Sequence, residues 1–263
     1  PEQNFQTQVA LGVYSIGSLQ DSLWNWTIES KLRPRRYRRG THYTYKYSDM
    51  GFYILKKLAE NHLNQPMEKF LEQNFYQPLG LSTMTYLPLC KFPVDRIAPT
   101  EVDNYFRNEL ICGTVHDQGA AMFGGIAGHA GIFSNATDLA ILAQMNLQDG
   151  YYGGTRYLQE GTIKKFTTQQ SSKYRRGLGW DKPERNGKIN PASRYASAKT
   201  FGHTGFTGTA VWVDPEFDLV YVFLSNRIHP KANNGKLNKS NIRTRIQDAI
   251  YESMWSYRKG NNS

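Results

Sequence analysis

The stretch from Lys199 to Asn226 constrains this chain most. Two runs rich in β-branched and aromatic residues, Thr209–Val213 and Leu219–Leu224, flank Asp214-Pro215-Glu216-Phe217-Asp218. Turn chemistry between two such runs predicts a β-hairpin. The second run is almost wholly apolar, which predicts a strand covered on both faces. Just ahead of the hairpin sits His203-Thr204-Gly205, with Gly202 and Gly208 close by. Glycines weaken a strand but let another backbone or a ligand approach it. On these residues alone, a glycine-softened strand end with a packed histidine is the simpler account.

The rest of the chain supplies mostly helices. Thr7–Gly12 reads as a strand or a short helix. Ser18–Glu29 reads as a helix with Leu19, Leu23 and Ile28 inward. After Tyr43-Thr-Tyr-Lys-Tyr47, Ser48 or Asp49 can cap a helix whose buried stripe includes Met50, Tyr53, Ile54 and Leu58. Pro66 suits the first turn of a further helix with Met67, Phe70 and Leu71 on one face, and Pro78-Leu79-Gly80 ends it. Residues 87–120 read as an irregular excursion, and Gly124-Gly-Ile-Ala-Gly-His-Ala-Gly131 is too glycine-rich for a regular element. A capped helix follows near Thr137, then a short one at Thr162–Gln169. Tyr174–Ser197 reads as loop, with Gly177-Leu-Gly-Trp180 as a candidate strand. Ser240 can cap a terminal helix whose apolar stripe, Ile242, Ile246, Ala249, Ile250 and Met254, is suited to lie on the hairpin's sheet. A helical middle with a terminal sheet and helix makes an α+β chain. It is expected to be one domain over residues 1–263, mainly helix and loop from about 20 to 198 and sheet plus helix from 199 to 263.

Composition narrows the function. With 263 residues, 39% hydrophobic and 13% aromatic, the chain can bury a core and is not disordered. No run is long and apolar enough to span a bilayer, and the start at Pro1-Glu-Gln-Asn-Phe shows no targeting leader. The formal charge of +10 is concentrated in Lys31-Leu-Arg-Pro-Arg-Arg-Tyr-Arg-Arg39. No helix-turn-helix, zinc-ligand or RNP pattern accompanies that run, so a solvated loop that reads no nucleic acid is expected. Cys90 and Cys112 are too few for a disulfide scaffold and are read as free or as one optional bridge. The glycine-rich stretch at 124–131 matches neither phosphate-binding fingerprint, and tight turns account for it. His116-Asp117 and His129 lack a convincing third ligand, so neither metal nor cofactor is expected.

Two constellations carry more. Tyr47-Ser48-Asp49 opens a helix, and His203-Thr204-Gly205 precedes a C-terminal strand and helix. In that order they resemble the second and third motifs of the serine β-lactamase/penicillin-binding-protein superfamily, on its class C-like branch of esterases and D-amino-acid peptidases. Relatives there commonly have Tyr-x-Asn and then Lys/His-Thr/Ser-Gly. Arg39-Gly40-Thr41, Pro78-Leu79-Gly80-Leu81 and the turn into Phe133-Ser134 with Asp138-Leu139-Ala140 add matches. Val115-His116-Asp117 and Gly128-His129-Ala130-Gly131 resemble a subgroup often fused behind family 3 glycoside hydrolases of the β-N-acetylhexosaminidase type. The resemblance implies a β-lactamase-like fold and a parent enzyme working through an acyl-enzyme on an ester, a D-amino-acid amide or a peptidoglycan-like peptide. It also implies a periplasmic or cell-envelope setting.

Acyl transfer needs a nucleophile, a group to move its proton, and donors where the oxyanion forms. The resemblance makes Tyr47 a proton shuttle and places His203 where relatives have lysine. Thr204 and Gly205 would line the substrate, and the Phe206 N–H would supply half of the oxyanion hole. Asp49 replaces the usual asparagine, and an ionised carboxylate only accepts hydrogen bonds, so its substrate-orienting role differs. Without the resemblance, Tyr47 and Asp49 read as a packed tyrosine and a helix cap. The first motif, Ser-x-x-Lys, should lie upstream of Tyr47. Ser15, Ser18 and Ser22 are instead followed at the third position by Ser18, Asp21 and Asn25. The expectation is a truncated domain lacking its first strands, its central catalytic helix and its nucleophile, and therefore inactive alone. The missing N-terminal segment or a fused glycosidase is the expected partner. A non-catalytic accessory module of a cell-wall glycosidase is the other reading.

Overall fold

A computed structural model describes residues 5–31, 45–184 and 190–260. The chain divides into two compact units, one of residues 1–72 and 85–133 and one of residues 73–84 and 134–263. Arg33–Arg39 and Arg39-Gly40-Thr41 lie outside the described residues.

The first unit opens with an antiparallel hairpin, β1 (Phe5–Ala10) and β2 (Val13–Ile16), so Thr7–Gly12 is strand for most of its length. Helix α1 (Leu19–Glu29) buries Thr27, while Ile28, expected inward, is exposed. Helix α2 (Met50–Leu63) starts directly after Tyr47-Ser48-Asp49, with Asp49 at the cap position but accepting no capping bond. Its expected buried stripe is not buried. Met50, Ile54 and Leu58 are exposed together with Leu55, and only Tyr53 is half-buried. Periodicity finds an apolar face, but burial needs something laid against it.

Helix α3 (Met67–Leu71) runs on into a π-helical turn, Glu72–Tyr76. Gly80, at φ 72°, then reverses the chain while the Leu81 N–H donates to the Tyr76 carbonyl at 2.8 Å, a glycine-terminated helix end. Within the irregular 87–120 stretch, β3 (Val102–Asp103) and β4 (Glu109–Leu110) pair as a small hairpin. Helix α4 (Gln118–Met122) is capped by the Asp117 carboxylate, which accepts from the Ala120 N–H at 2.7 Å. One cluster of the unit's core is Val9, Val115, Ala120, Ala121 and Ala127. Beside it the buried Arg107 donates to Asp103 at 2.9 Å and to the carbonyls of Val115 and His116 at 2.7 and 2.6 Å.

The second unit holds α5 (Ala136–Leu147), capped by Asn135 one residue ahead of the expected start. A hairpin of β5 (Tyr151–Tyr152) and β6 (Thr155–Arg156) and helix α6 (Thr162–Thr167) follow. The sheet is antiparallel, β7 (Phe201–Thr204), β8 (Ala210–Asp214) and β9 (Leu219–Phe223), in that order. Two-residue alternation gives it two working faces. Val211, Val213, Val220 and Phe201 pack with Ala143 and Leu147 of α5 and Ile163 of α6. On the other face Ala210, Trp212 and Tyr221 pack with Tyr251 and Ile250. Residues before and after position 199 therefore share one core. In β9 Tyr221 is fully buried and the other residues are half-buried, Val220 packing on one face and Leu219, Tyr221 and Phe223 on the other, so up to Phe223 the run is covered on both faces as expected.

The terminal helix α8 (Ile242–Gly260) corrects two expectations. Ser240 closes the short helix α7 (Lys236–Lys239), and Asn241, at φ 53°, leads into α8. The buried face is Thr244, Gln247 and Tyr251, with Ile246 and Ala249 exposed. Polar residues go inward because polar groups await them. Gln247 accepts from the Ser193 N–H at 2.7 Å, and the Tyr251 hydroxyl donates to Asp214 at 2.6 Å. Asp214 also accepts from the Ser197 N–H and hydroxyl. Burial alone would raise its pKa, but these donors hold it below the usual carboxylate range.

Candidate functional site

In the second unit the site is built around the end of β7. Gly202 lies so close to Val211 and Trp212 of β8 that a side chain there would meet backbone. His203 follows, opposite Val211 and on the Phe201 side of the strand. Beyond Thr204 the chain turns: the Gly205 N–H donates to the Thr209 carbonyl at 2.8 Å, and the Gly208 N–H to the Gly205 carbonyl at 3.1 Å. A Cβ on Gly205 would strike the Thr209 hydroxyl, and Gly208 has φ 114°, so both glycines are required by the turn. At its tip Phe206 is exposed, with the Arg227 guanidinium 5.0 Å from the ring centroid.

The loop before β7 completes this end. Gly177-Leu178-Gly179-Trp180, a candidate strand by sequence, is a tight turn: the Gly177 N–H donates to the Trp180 carbonyl at 3.0 Å, and Gly179 has φ 79°. It pairs Arg176 with Asp181, and Asp181 in turn exchanges backbone bonds with Gly202 at 2.8 and 3.0 Å. Arg176 is thereby delivered to His203, its Nη1 3.1 Å from the ring Nε2. The His203 Nδ1 lies 2.8 Å from the Thr204 carbonyl. Asp181, almost fully buried, binds Arg175 Nε at 2.9 Å and Arg176 Nη1 at 3.3 Å. Arg243, from α8, donates to the Thr209 carbonyl at 2.9 Å. Burial, and then repulsion from Arg227, lowers its pKa, and with Arg227 over Phe206 and Arg243 on Thr209 the turn is flanked by two guanidiniums. Sequence reading missed Arg176 and Asp181. Their signal was an Arg-Arg pair and an aspartate flanking a Gly-x-Gly turn.

Tyr47 and Asp49 belong to the first unit, where Tyr47 is exposed and Asp49 is half-buried at the start of α2. The first turn of α2 is held from one side. Gly128 packs against the Phe52 carbonyl, and the Tyr53 ring meets Phe123 and His129 edge-on, each at 5.0 Å. Burial, then the charges of Asp117 and Asp49, raise the Tyr53 pKa. The histidines read as lying among tight turns are paired: His129 Nε2 is 2.8 Å from Asp117, and His116 Nε2 is 2.8 Å from Glu101. Burial would raise the Asp117 pKa, but the His129 bond and the Ala120 N–H bring it below the usual value. No group of three or more metal-ligating side chains occurs among the described residues. Cys90 and Cys112 are free thiols.

Across the whole sequence, Ser-x-x-Lys occurs once, at Ser256-Tyr-Arg-Lys259, after both other motifs. Ser256 is exposed on α8 and its hydroxyl donates to the Glu252 carbonyl at 3.0 Å. That is a solvent-facing helical serine on the terminal helix.

A family model described as beta-lactamase matches residues 27–243. A curated Escherichia coli K12 protein with a provisional D-alanyl-D-alanine carboxypeptidase name is 36% identical over 227 residues, covering 81% of this chain and 52% of that protein. A Salmonella schwarzengrund protein with the same name is 35% identical over 236 residues, 84% of this chain and 54% of its own length. The chain thus spans about half the length of these curated relatives. Among solved structures, a Mycobacterium bovis beta-lactamase matches with TM-score 0.52 and 21% identity, covering 79% of this chain and 63% of that one. A Caulobacter crescentus penicillin-binding protein homolog matches with TM-score 0.52 and 18% identity, covering 84% and 60%. The structural likeness carries the fold, and the family match covers most of the sequence.

Proposed function

Because the chain belongs to the beta-lactamase family of serine hydrolases, we propose that it carries the second and third site motifs of an enzyme working through an acyl-serine. The observation that carries this reading is the end of β7, where a hydrogen-bonded glycine turn presents His203, Thr204, Gly205 and Phe206 beside the Arg227 and Arg243 guanidiniums. Such a turn suits an acyl group that ends in a carboxylate and develops an oxyanion. The substrate class follows the names of the relatives, a peptide ending in D-alanyl-D-alanine, met in the cell envelope.

In this reading a serine Oγ attacks the scissile carbonyl carbon and loses its proton towards Tyr47. The Phe206 N–H donates to the oxyanion. The leaving amine takes the proton as the peptide C–N bond breaks, and water then releases the acid from the serine. Asp49, able only to accept when ionised, would orient substrate N–H groups. We place the nucleophile on a Ser-x-x-Lys outside these 263 residues, since Ser256 is back-bonded on an exposed helix face. The exposed face of α2 supports this, being an apolar surface suited to covering by further chain.

The test is intact-protein mass after exposure to a penicillin-type or activated-ester probe. The 263-residue chain is expected to stay unlabelled. The longer protein is expected to label on the serine of its Ser-x-x-Lys, with Tyr47→Phe slowing labelling by about 10²–10⁴-fold. Stoichiometric labelling of the 263-residue chain would refute this placement of the nucleophile. The lack of Ser-x-x-Lys ahead of Tyr47 also suits a non-catalytic module of a cell-wall glycosidase, which a longer protein that never labels would favour.

A further inference from the structure

We propose that Arg176 is a positioning residue that fixes His203 as a neutral imidazole with its proton on Nδ1, leaving the guanidinium as the positive charge at the end of β7. A carbonyl oxygen can only accept, so the 2.8 Å contact from Nδ1 to the Thr204 oxygen requires a proton on Nδ1. A guanidinium can only donate, so the 3.1 Å contact from Arg176 Nη1 to Nε2 requires a lone pair on Nε2. Both conditions hold together only for the neutral Nδ1–H tautomer.

The geometry that imposes this is built into the backbone. The Gly177–Trp180 turn and the Asp181–Gly202 bonds lace the loop to β7. Arg176 is also anchored by Asp181 at 3.3 Å. Asp181 is pinned in turn by Arg175, which reaches Glu184 at 3.3 Å. Arg176 thus meets the ring from a linked set of charges, Asp181, Arg175 and Glu184, while Arg227 and Arg243 flank the turn beyond Thr204. Lys182 is turned onto the Thr167 and Thr200 carbonyls at 3.0 and 2.9 Å.

The consequence bears on the role of His203. Held this way, its ring neither gives nor takes a proton during turnover. It transmits and orients a charge that belongs to Arg176, which stays protonated throughout the working pH range. This inference rests on the reading of the β7 end as part of the reaction site, but its test does not.

The experiment is nitrogen NMR of the His203 ring in the 263-residue chain, without substrate, at pH 7. The resonance is assigned by its loss in His203→Gln. The expected result is one pyrrole-type nitrogen at Nδ1 and one pyridine-type nitrogen at Nε2, the latter displaced by its hydrogen bond. Arg176→Met is expected to lose that displacement and the single-tautomer signature, and Arg176→Lys to restore part of it. An imidazolium or an Nε2–H tautomer in the unsubstituted protein overturns the proposal, a measurement that stands even where Arg176→Met fails to fold. A spectrum unchanged by Arg176→Met, or no restoration by lysine, also overturns it. Because no acylation is read, these outcomes are independent of the probe-labelling test of function.

Discussion

The second unit buries Trp212, Tyr251 and Phe201 almost completely between β7–β9 and their helices. In the first unit, α2 leaves Met50, Ile54, Leu55 and Leu58 exposed, with Leu58 at 60%. The residues on offer are equally apolar. What differs is whether a second layer lies against them. The second unit has helices for both faces of its sheet and a carboxylate, Asp214, that ties Ser197 and Tyr251 into the core. The first unit relies on an alanine-rich cluster and on the Arg107 and Asp117 networks.

The largest expected effect is Trp212→Ala. It should lower the unfolding free energy of the second unit by about 3–5 kcal/mol, read from urea unfolding with hydrogen exchange resolved by segment. A loss below about 1 kcal/mol would show that this core is not what holds the unit. Arg107→Met should destabilise the first unit by about 3 kcal/mol, because Asp103 is left buried without its partner. Protection across residues 102–121 should fall while the β8 and β9 amides hold.

Acid should sharpen the contrast. Burial would raise the Asp103 pKa, but the Phe106 N–H and Arg107 hold it at about 2. A depressed carboxylate pKa stabilises the fold above the ordinary value of about 3.9 and loses that contribution as pH falls through the folded value. The first unit should therefore weaken from about pH 4 down to pH 2, and Asp103→Asn should flatten that slope. Equal slopes in both proteins would remove Asp103 from the account. The smallest effect is Leu58→Lys, expected to change the stability of this chain by less than about 0.5 kcal/mol. A large loss would mean that the face of α2 is covered after all.

Much of the fold was legible. The Asp214–Asp218 turn between two apolar runs identified β8 and β9 nearly to the residue, because turn chemistry and strand composition agree there. Tyr47 and His203 stood out only by their resemblance to family motifs. The helical stripes were legible as faces but not as buried faces. Ile246 and Ile54 fit a period of 3.6 and are exposed, while Gln247, off the apolar stripe, is buried. Hydrophobicity could not reveal that Ser193 would present an N–H needing an acceptor 54 residues away.

Local chemistry alone thus determined the Asp214–Asp218 turn and the order of the two motifs, since each depends on neighbours in the chain. Tertiary structure alone decided that Arg176 meets His203, that His129 meets Asp117, and that α8 turns Gln247 and Tyr251 inward. Those pairings join residues 12 to 54 positions apart. A hydrogen bond over such a span is fixed by how the intervening backbone packs, and no local preference encodes that.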